Sequence, residues 1–288
     1  MIKTSFYTNK KKSGKNEIEE YWTKERREKA IPKPSPTLPD DFKEPDFDTS
    51  KITTIIEANT SITDNDIYKA IDVPIAVPVE YPQNYPNRCN GKLYFTWKGE
   101  NYVGSAGSVF LEVLLTAAHN IYDEGEWSDN FLYFPGYPEY TGVQVSWGWS
   151  KVAIFDEWKD NTNFAYDYAM IRTDSPMTSI GTMPTILNLP PQNRTWTAIG
   201  YPAISPYSGE QMYKTTGSYV SGSTIITMNN NDMTQGSSGG NWITTVSSVN
   251  YVNGVQSTRG SQPSYANSPY LNQEEYDALL DRLKESSE

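Results

Sequence analysis

From Gly91 onward the chain breaks into short apolar and aromatic runs parted by turn residues, and no other feature narrows its fold as much. The runs are Leu93–Trp97, Val109–Leu115, Phe131–Phe134, Val143–Trp147, Tyr168–Thr173, Trp196–Tyr201, Gln211–Thr216, Thr224–Met228, Trp242–Val246 and Asn250–Gln256. Many short strands at this spacing describe an all-β barrel or sandwich. The 21 Tyr and 8 Trp fit that reading, because pleated, half-buried surfaces favour aromatic side chains. Near the end, Tyr276, Leu279, Leu280 and Leu283 recur at helical spacing, which predicts a closing amphipathic helix over Asn272–Ser287.

The first part of the chain has a different grammar. Glu17 to Ala30 is rich in strong helix formers, with opposite charges three and four residues apart and Asn16 placed to cap. Ile18, Tyr21 and Trp22 give that predicted helix a modest apolar stripe. Pro32, Pro34, Pro36 and Pro39 stop it and make a stiff, extended connector. Residues 1–50 therefore read as a unit separate from the strand-rich remainder of the chain.

Several function classes fall away on composition. No window approaches the ~18 consecutive apolar residues of a membrane-spanning helix, so no membrane role is expected. The net charge of −11 lies almost wholly beyond residue 50. Such an acidic body repels phosphate backbones, which argues against a nucleic-acid partner. A single cysteine, Cys89, allows no intramolecular disulfide, and no base flanks it, so a small inert residue is expected. With one histidine and one cysteine there is no credible zinc site.

Three short segments carry chemistry. The lone histidine, His119, ends the apolar run Leu114-Leu115-Thr116-Ala117-Ala118. A lone histidine is more often structural, yet imidazole is also the natural general base near neutral pH. Gly236-Ser237-Ser238-Gly239-Gly240 has the glycines that a serine nucleophile loop needs for its backbone N–H groups to face a developing oxyanion. Alone it is equally a plain Gly/Ser loop. Asp167 enters the apolar run Tyr168-Ala169-Met170-Ile171, where a half-buried carboxylate could accept the imidazole Nδ1–H. Strand-end aspartates also commonly cap turns.

Together, in the order His, Asp, Ser, these segments resemble the trypsin-like serine peptidases. Leu115-Thr116-Ala117-Ala118-His119 and Asp167-Tyr168-Ala169-Met170-Ile171 are similar to two of that family's motifs. Gly236-Ser237-Ser238-Gly239-Gly240 is similar to its Gly-Asp-Ser-Gly-Gly motif except at the second position. Tyr21-Trp22-Thr23, Phe134-Pro135-Gly136-Tyr137, Asp232-Met233-Thr234 and Ser268-Pro269-Tyr270 resemble a bacterial subgroup near the glutamyl endopeptidases.

The resemblance implies two six-stranded Greek-key barrels with the active site in the cleft between them, an N-terminal helical extension and a C-terminal helix. It divides the chain into residues 1–87 (extension or propeptide), 88–180 (first barrel, with His119 and Asp167) and 181–288 (second barrel, with Ser238). It implies a secreted endopeptidase, although the first twenty residues lack the apolar stretch of a secretory signal and a cytoplasmic protein is the alternative. The substrate is a protein or peptide, and no cofactor or metal is required. Gly236 and Ser238 would supply the oxyanion-hole N–H groups, and substrate would add as a strand along Ser257–Arg259.

Departures from the family bear on activation and specificity. Gly104 and Asn120 stand where disulfide-bearing relatives have a cysteine pair, so packing must hold the histidine loop. Ser237 replaces the aspartate that binds a newly freed N-terminus in trypsin-like zymogens. Asp232 and Thr234 occupy pocket positions, and Gln256 replaces the pocket histidine that reads an acidic side chain in glutamyl endopeptidases. Arg259 could pair with Asp232 or meet an acidic substrate. The competing function is a catalytically inactive binding module on the same fold.

Overall fold

A computed structural model describes residues 2–9, 15–38, 75–138 and 145–285. The N-terminal segment holds β1 (Thr4–Thr8), α1 (Lys15–Tyr21), α2 (Lys24–Lys29), β2 (Ile31–Pro32) and β3 (Val77–Pro78). Then come β4 (Asn90–Trp97), β5 (Glu100–Phe110), β6 (Val113–Thr116), the short pair β7 (Tyr122–Asp123) and β8 (Glu126–Trp127), and β9 (Asp129–Pro135). β10 (Trp149–Phe155), α3 (Asp156–Asn161) and β11 (Ala169–Thr173) complete the first half. The second half is β12 (Thr195–Gly200), β13 (Tyr213–Ser221), β14 (Ile225–Met228), β15 (Asn241–Val246), β16 (Val249–Val255), β17 (Ala266–Pro269) and α4 (Gln273–Lys284).

The strands form two antiparallel barrels. In the first, the order is β1-β10-β11-β6-β5-β4-β9, with β2 added to β5. A bridge between Tyr133 and Trp147 brings β9 back to the approach of β10 and curls that sheet on itself. In the second, the order is β16-β15-β12-β13-β14-β17, with β3 added to β13. Ser257 N–H donates to Asn267 and Asn267 N–H to Thr258, so the chain leaving β16 meets β17. Closure matters because it removes free sheet edges from each half.

Most runs read from the sequence are strands, and the exceptions have local causes. Val109–Leu115 is a hairpin, not one strand: it turns at Leu111 and Glu112, and Leu111 is half exposed. Of Val143–Trp147, residues 143–144 lie outside the described residues, and only Trp147 makes a bridge. β5 carries little strand signature because its middle is Gly104-Ser105-Ala106-Gly107-Ser108. These residues are small because the strand runs against both the histidine loop and the other barrel. A Cβ on Gly107 would lie 1.8 Å from Asn241 Nδ2, and one on Gly104 would lie 2.8 Å from Asn120 Nδ2.

The described residues between 2 and 38 are not a separate unit, and this corrects the expectation from sequence. β1 pairs with β10 from Thr4↔Phe155 to Thr8↔Lys151. The predicted helix over 17–30 is two helices broken at Trp22 and Thr23. Trp22 turns fully into the first-barrel core, where its indole N–H donates to the Asn130 carbonyl at 2.6 Å. Thr23 then caps α2 by accepting from the Arg26 N–H. Asn16 lies inside α1 instead of capping it. Of the proline connector, Pro39 lies outside the described residues.

The C-terminal helix forms as expected. Asn272 caps it by accepting from Glu275 N–H, and Tyr276, Leu279 and Leu283 are buried. Among the described residues, no helix is long and apolar enough to cross a membrane. Cys89 is fully buried, and desolvation pushes its thiol up to about 11, as befits an inert residue.

Candidate active site

His119, Asp167 and Ser238 converge between the barrels, and all three are completely buried. His119 sits on a short 3-10 turn, Ala118–Asn120, just beyond β6. Its backbone N–H donates to Asp167 Oδ1 at 2.9 Å, and its Nδ1 lies 2.8 Å from Asp167 Oδ2. The Ser257 hydroxyl donates to the same Oδ2 at 2.5 Å. Three donors therefore hold one carboxylate, which fixes the imidazole plane and leaves Nδ1 as the protonated nitrogen. Nε2 is left as the acceptor, and among the described residues it has no hydrogen-bond partner.

The serine loop is shaped by its glycines. Gly236 and Gly239 have φ of +95° and +87°, a left-handed region that side chains resist. A Cβ on Gly239 would lie 2.1 Å from Thr116 Oγ1 and 2.2 Å from the Ser105 carbonyl, so the loop could not lie against β5 and β6. β5 grips it from the other barrel. Ser105 N–H donates to the Ser238 carbonyl at 2.8 Å, and the Ser105 hydroxyl donates to the Gly236 carbonyl at 2.9 Å. These bonds take carbonyls and leave amides. The N–H groups of Gly236 and Ser238 make no hydrogen bond among the described residues.

Asn120 adds hydrogen bonds where packing alone was expected. Its side-chain N–H₂ donates to Thr116 Oγ1 at 3.1 Å and to the Ser238 carbonyl at 3.0 Å. The amide fills the space beside Gly104 and ties the histidine loop directly to the serine loop.

The pocket candidates are each bonded to protein. The Asp232 carboxylate accepts from Ile75 N–H at 2.9 Å, Ala76 N–H at 3.0 Å and the Tyr207 hydroxyl at 2.6 Å. Thr234 Oγ1 accepts from Ile204 N–H and donates to the Ile204 carbonyl. Gln256 Oε1 accepts from Asn231 and from Trp242 Nε1, both at 2.9 Å. Because an indole N–H can only donate, the Gln256 oxygen must face it. Arg259 donates to the Asp232, Met233 and Pro263 carbonyls, and among the described residues it makes no ion pair with the Asp232 carboxylate.

One group in the cleft has a position that no motif announces. Ser35, from the proline connector, puts its hydroxyl 3.0 Å from Ser238 Oγ. Upstream, β2 pairs in parallel with β5 at Ile31↔Tyr102 and Pro32↔Val103, and downstream Thr37 bridges Arg259. The connector thus crosses the cleft as a strap from the first barrel to the second. Its only legible signal was the Pro-x-Pro-x-Pro rhythm that keeps a chain extended.

Two closed antiparallel barrels, with a histidine and an aspartate on one facing a glycine-bounded serine on the other, define the chymotrypsin fold of the trypsin-like serine peptidases. No protein-family model matches the chain, and no curated protein sequence matches it. Solved structures do. A thermostable serine protease, AL20, from an extremophilic microorganism is 23% identical, with a TM-score of 0.61 over 69% of this chain and 98% of that one. The protease Anisep from Arthrobacter nicotinovorans is 28% identical, with a TM-score of 0.58 over 68% of this chain and 92% of that one. A Glu endopeptidase in complex with MPD is 19% identical, with a TM-score of 0.64 over 74% and 98%. The chain has their fold, and it resembles the peptidases near the glutamyl endopeptidases.

Proposed function

We propose that the protein is a serine endopeptidase that uses His119, Asp167 and Ser238, and that residues 1–87 are a leader which holds it latent. The observation that carries the reading is the bonding of Asp167 to His119 and Ser257, opposite a buried imidazole Nε2 free to accept a proton. Ser238 Oγ attacks a peptide carbonyl while Nε2 takes its proton. The tetrahedral oxyanion lies against the Gly236 and Ser238 N–H groups, where one lost donor typically costs ~10²–10³ in rate. His119 returns the proton to the leaving amine, and water then resolves the acyl-enzyme by the same route. The neighbouring serine proteases support the substrate class, a protein or peptide.

Latency arises from the group that faces the nucleophile. Ser35 presents a hydroxyl to Ser238, not a carbonyl carbon. The next bond along the strap, Ser35–Pro36, has a proline nitrogen as its leaving group. The test is fluorophosphonate labelling and protein hydrolysis by the full chain, before and after limited proteolysis of the leader. We expect both signals to rise after cleavage and to vanish in Ser238→Ala, with the fold intact by circular dichroism. Triad removal costs on the order of 10⁶ in rate. Full activity in Ser238→Ala would refute the assignment, and a cleaved wild type inert to every serine-directed probe would favour a binding module.

A further inference from the structure

We propose that the cleft contains a subsite for a basic side chain, built from Asp123, Trp97 and Tyr102 and filled in the full-length chain by Lys33 of the leader. The inference rests on the peptidase reading and names one element of substrate choice for it.

Lys33, on the strap, has only 2% of its side chain exposed. Its Nζ lies 2.7 Å from Asp123 Oδ2 and 3.1 Å from the centre of the Trp97 ring, with the Tyr102 ring centre at 5.4 Å. The cage is built entirely from the first barrel. Trp97 Nε1 donates to the Asp123 carbonyl at 3.2 Å, so the residue that supplies the carboxylate also orients the ring. Nearby, Glu124 is taken by Lys98 at 2.6 Å, which leaves Asp123 to the ammonium. Burial pulls Lys33 below the usual lysine range, and the bond to Asp123 opposes that shift. A carboxylate backed by an aromatic face suits a cation and little else.

The pocket belongs to the cleft by construction. Asp123 follows His119 on the same loop, through the turn that ends at Asn120. Tyr102 and Val103 pair with the strap, and Ser105 on the same strand grips the serine loop. Ser35 lies two positions along from Lys33, a span of roughly 7 Å for extended chain. Displacement of the leader leaves Asp123 facing Trp97 without its cation, about two residues along from the nucleophile. A substrate carrying Lys or Arg there replaces what the leader removed.

The test uses the full chain with Lys33→Ala, alone and with Asp123→Asn. The first readout needs no activity: n-butylammonium should raise the melting temperature of Lys33→Ala where n-butanol does not, and the double variant should respond to neither. The second is peptide-library cleavage by Lys33→Ala after limited proteolysis of the leader. Lys and Arg should be favoured over Ala at one position within two residues of the scissile bond, on the order of tenfold in kcat/KM. Asp123→Asn should remove that preference, read as the ratio of Lys and Arg cleavage to Ala cleavage. Equal responses to butylammonium and butanol would overturn the cation site. A butylammonium response without a basic preference would reduce the pocket to a leader anchor and overturn the substrate role. Absence of all cleavage and all fluorophosphonate labelling, with the butylammonium response kept, would instead fault the peptidase reading.

Discussion

The two ends of the chain both dock on the first barrel, but by different physics. The C-terminal helix α4 lies over β1, β10 and β11 through an apolar stripe, with Tyr276, Leu279 and Leu283 fully covered. The N-terminal segment is anchored by β1 on β10 and by buried Ile18 and Trp22, but its proline connector crosses the cleft on polar contacts: Lys33 to Asp123, Ser35 to Ser238 and a bridge from Thr37 to Arg259. An apolar seam is non-directional and stays shut unless the fold opens. Polar contacts exchange with water or with a competing chain at a small net cost. On the proposed reading, α4 is a permanent brace and the connector a removable strap.

The largest effect that sharpens this contrast should come from Trp22→Ala. Loss of a fully buried indole costs about 3–5 kcal/mol by denaturant unfolding. Because Trp22 anchors the strap upstream, Ser238 should also label faster with fluorophosphonate in the folded variant. Next, Leu279→Ala should cost about 2–5 kcal/mol and leave the labelling rate of the folded protein unchanged. Faster labelling in Leu279→Ala would break the distinction between brace and strap. The smallest effect should come from Asn272→Ala, which removes the α4 cap for about 1 kcal/mol and is read as a lower melting temperature alone.

Part of the architecture is legible in the sequence alone. The turn-bounded apolar runs announce β barrels, because a strand buried on one or both faces must carry its pattern in its own residues. β5 is hidden because closeness to Asn120 and Asn241 demands glycine, alanine and serine, which read as loop. The break in the N-terminal helix is likewise invisible: the local charges favour one helix, and only the slot beside Asn130 makes Trp22 turn away from it. In the candidate site, the segments around His119, Asp167 and Ser238 stand out as motifs, because each needs a particular local backbone. The Ser257 bond to Asp167, the Asn120 clamp and the bonding of Asp232 to Ile75 and Ala76 join residues far apart in sequence.

What the sequence by itself determined is therefore local and periodic: two sets of strands, a closing helix, an extended proline connector and three short motifs. Only the tertiary structure decided where that connector lies. Its prolines dictate an extended shape but no address. The address comes from a β5 edge that accepts Ile31 and Pro32, a cage that closes on Lys33 and a serine loop that meets Ser35. Partners brought together across such separations leave no local pattern, because each contributes one side chain to a contact that exists only once both barrels have closed.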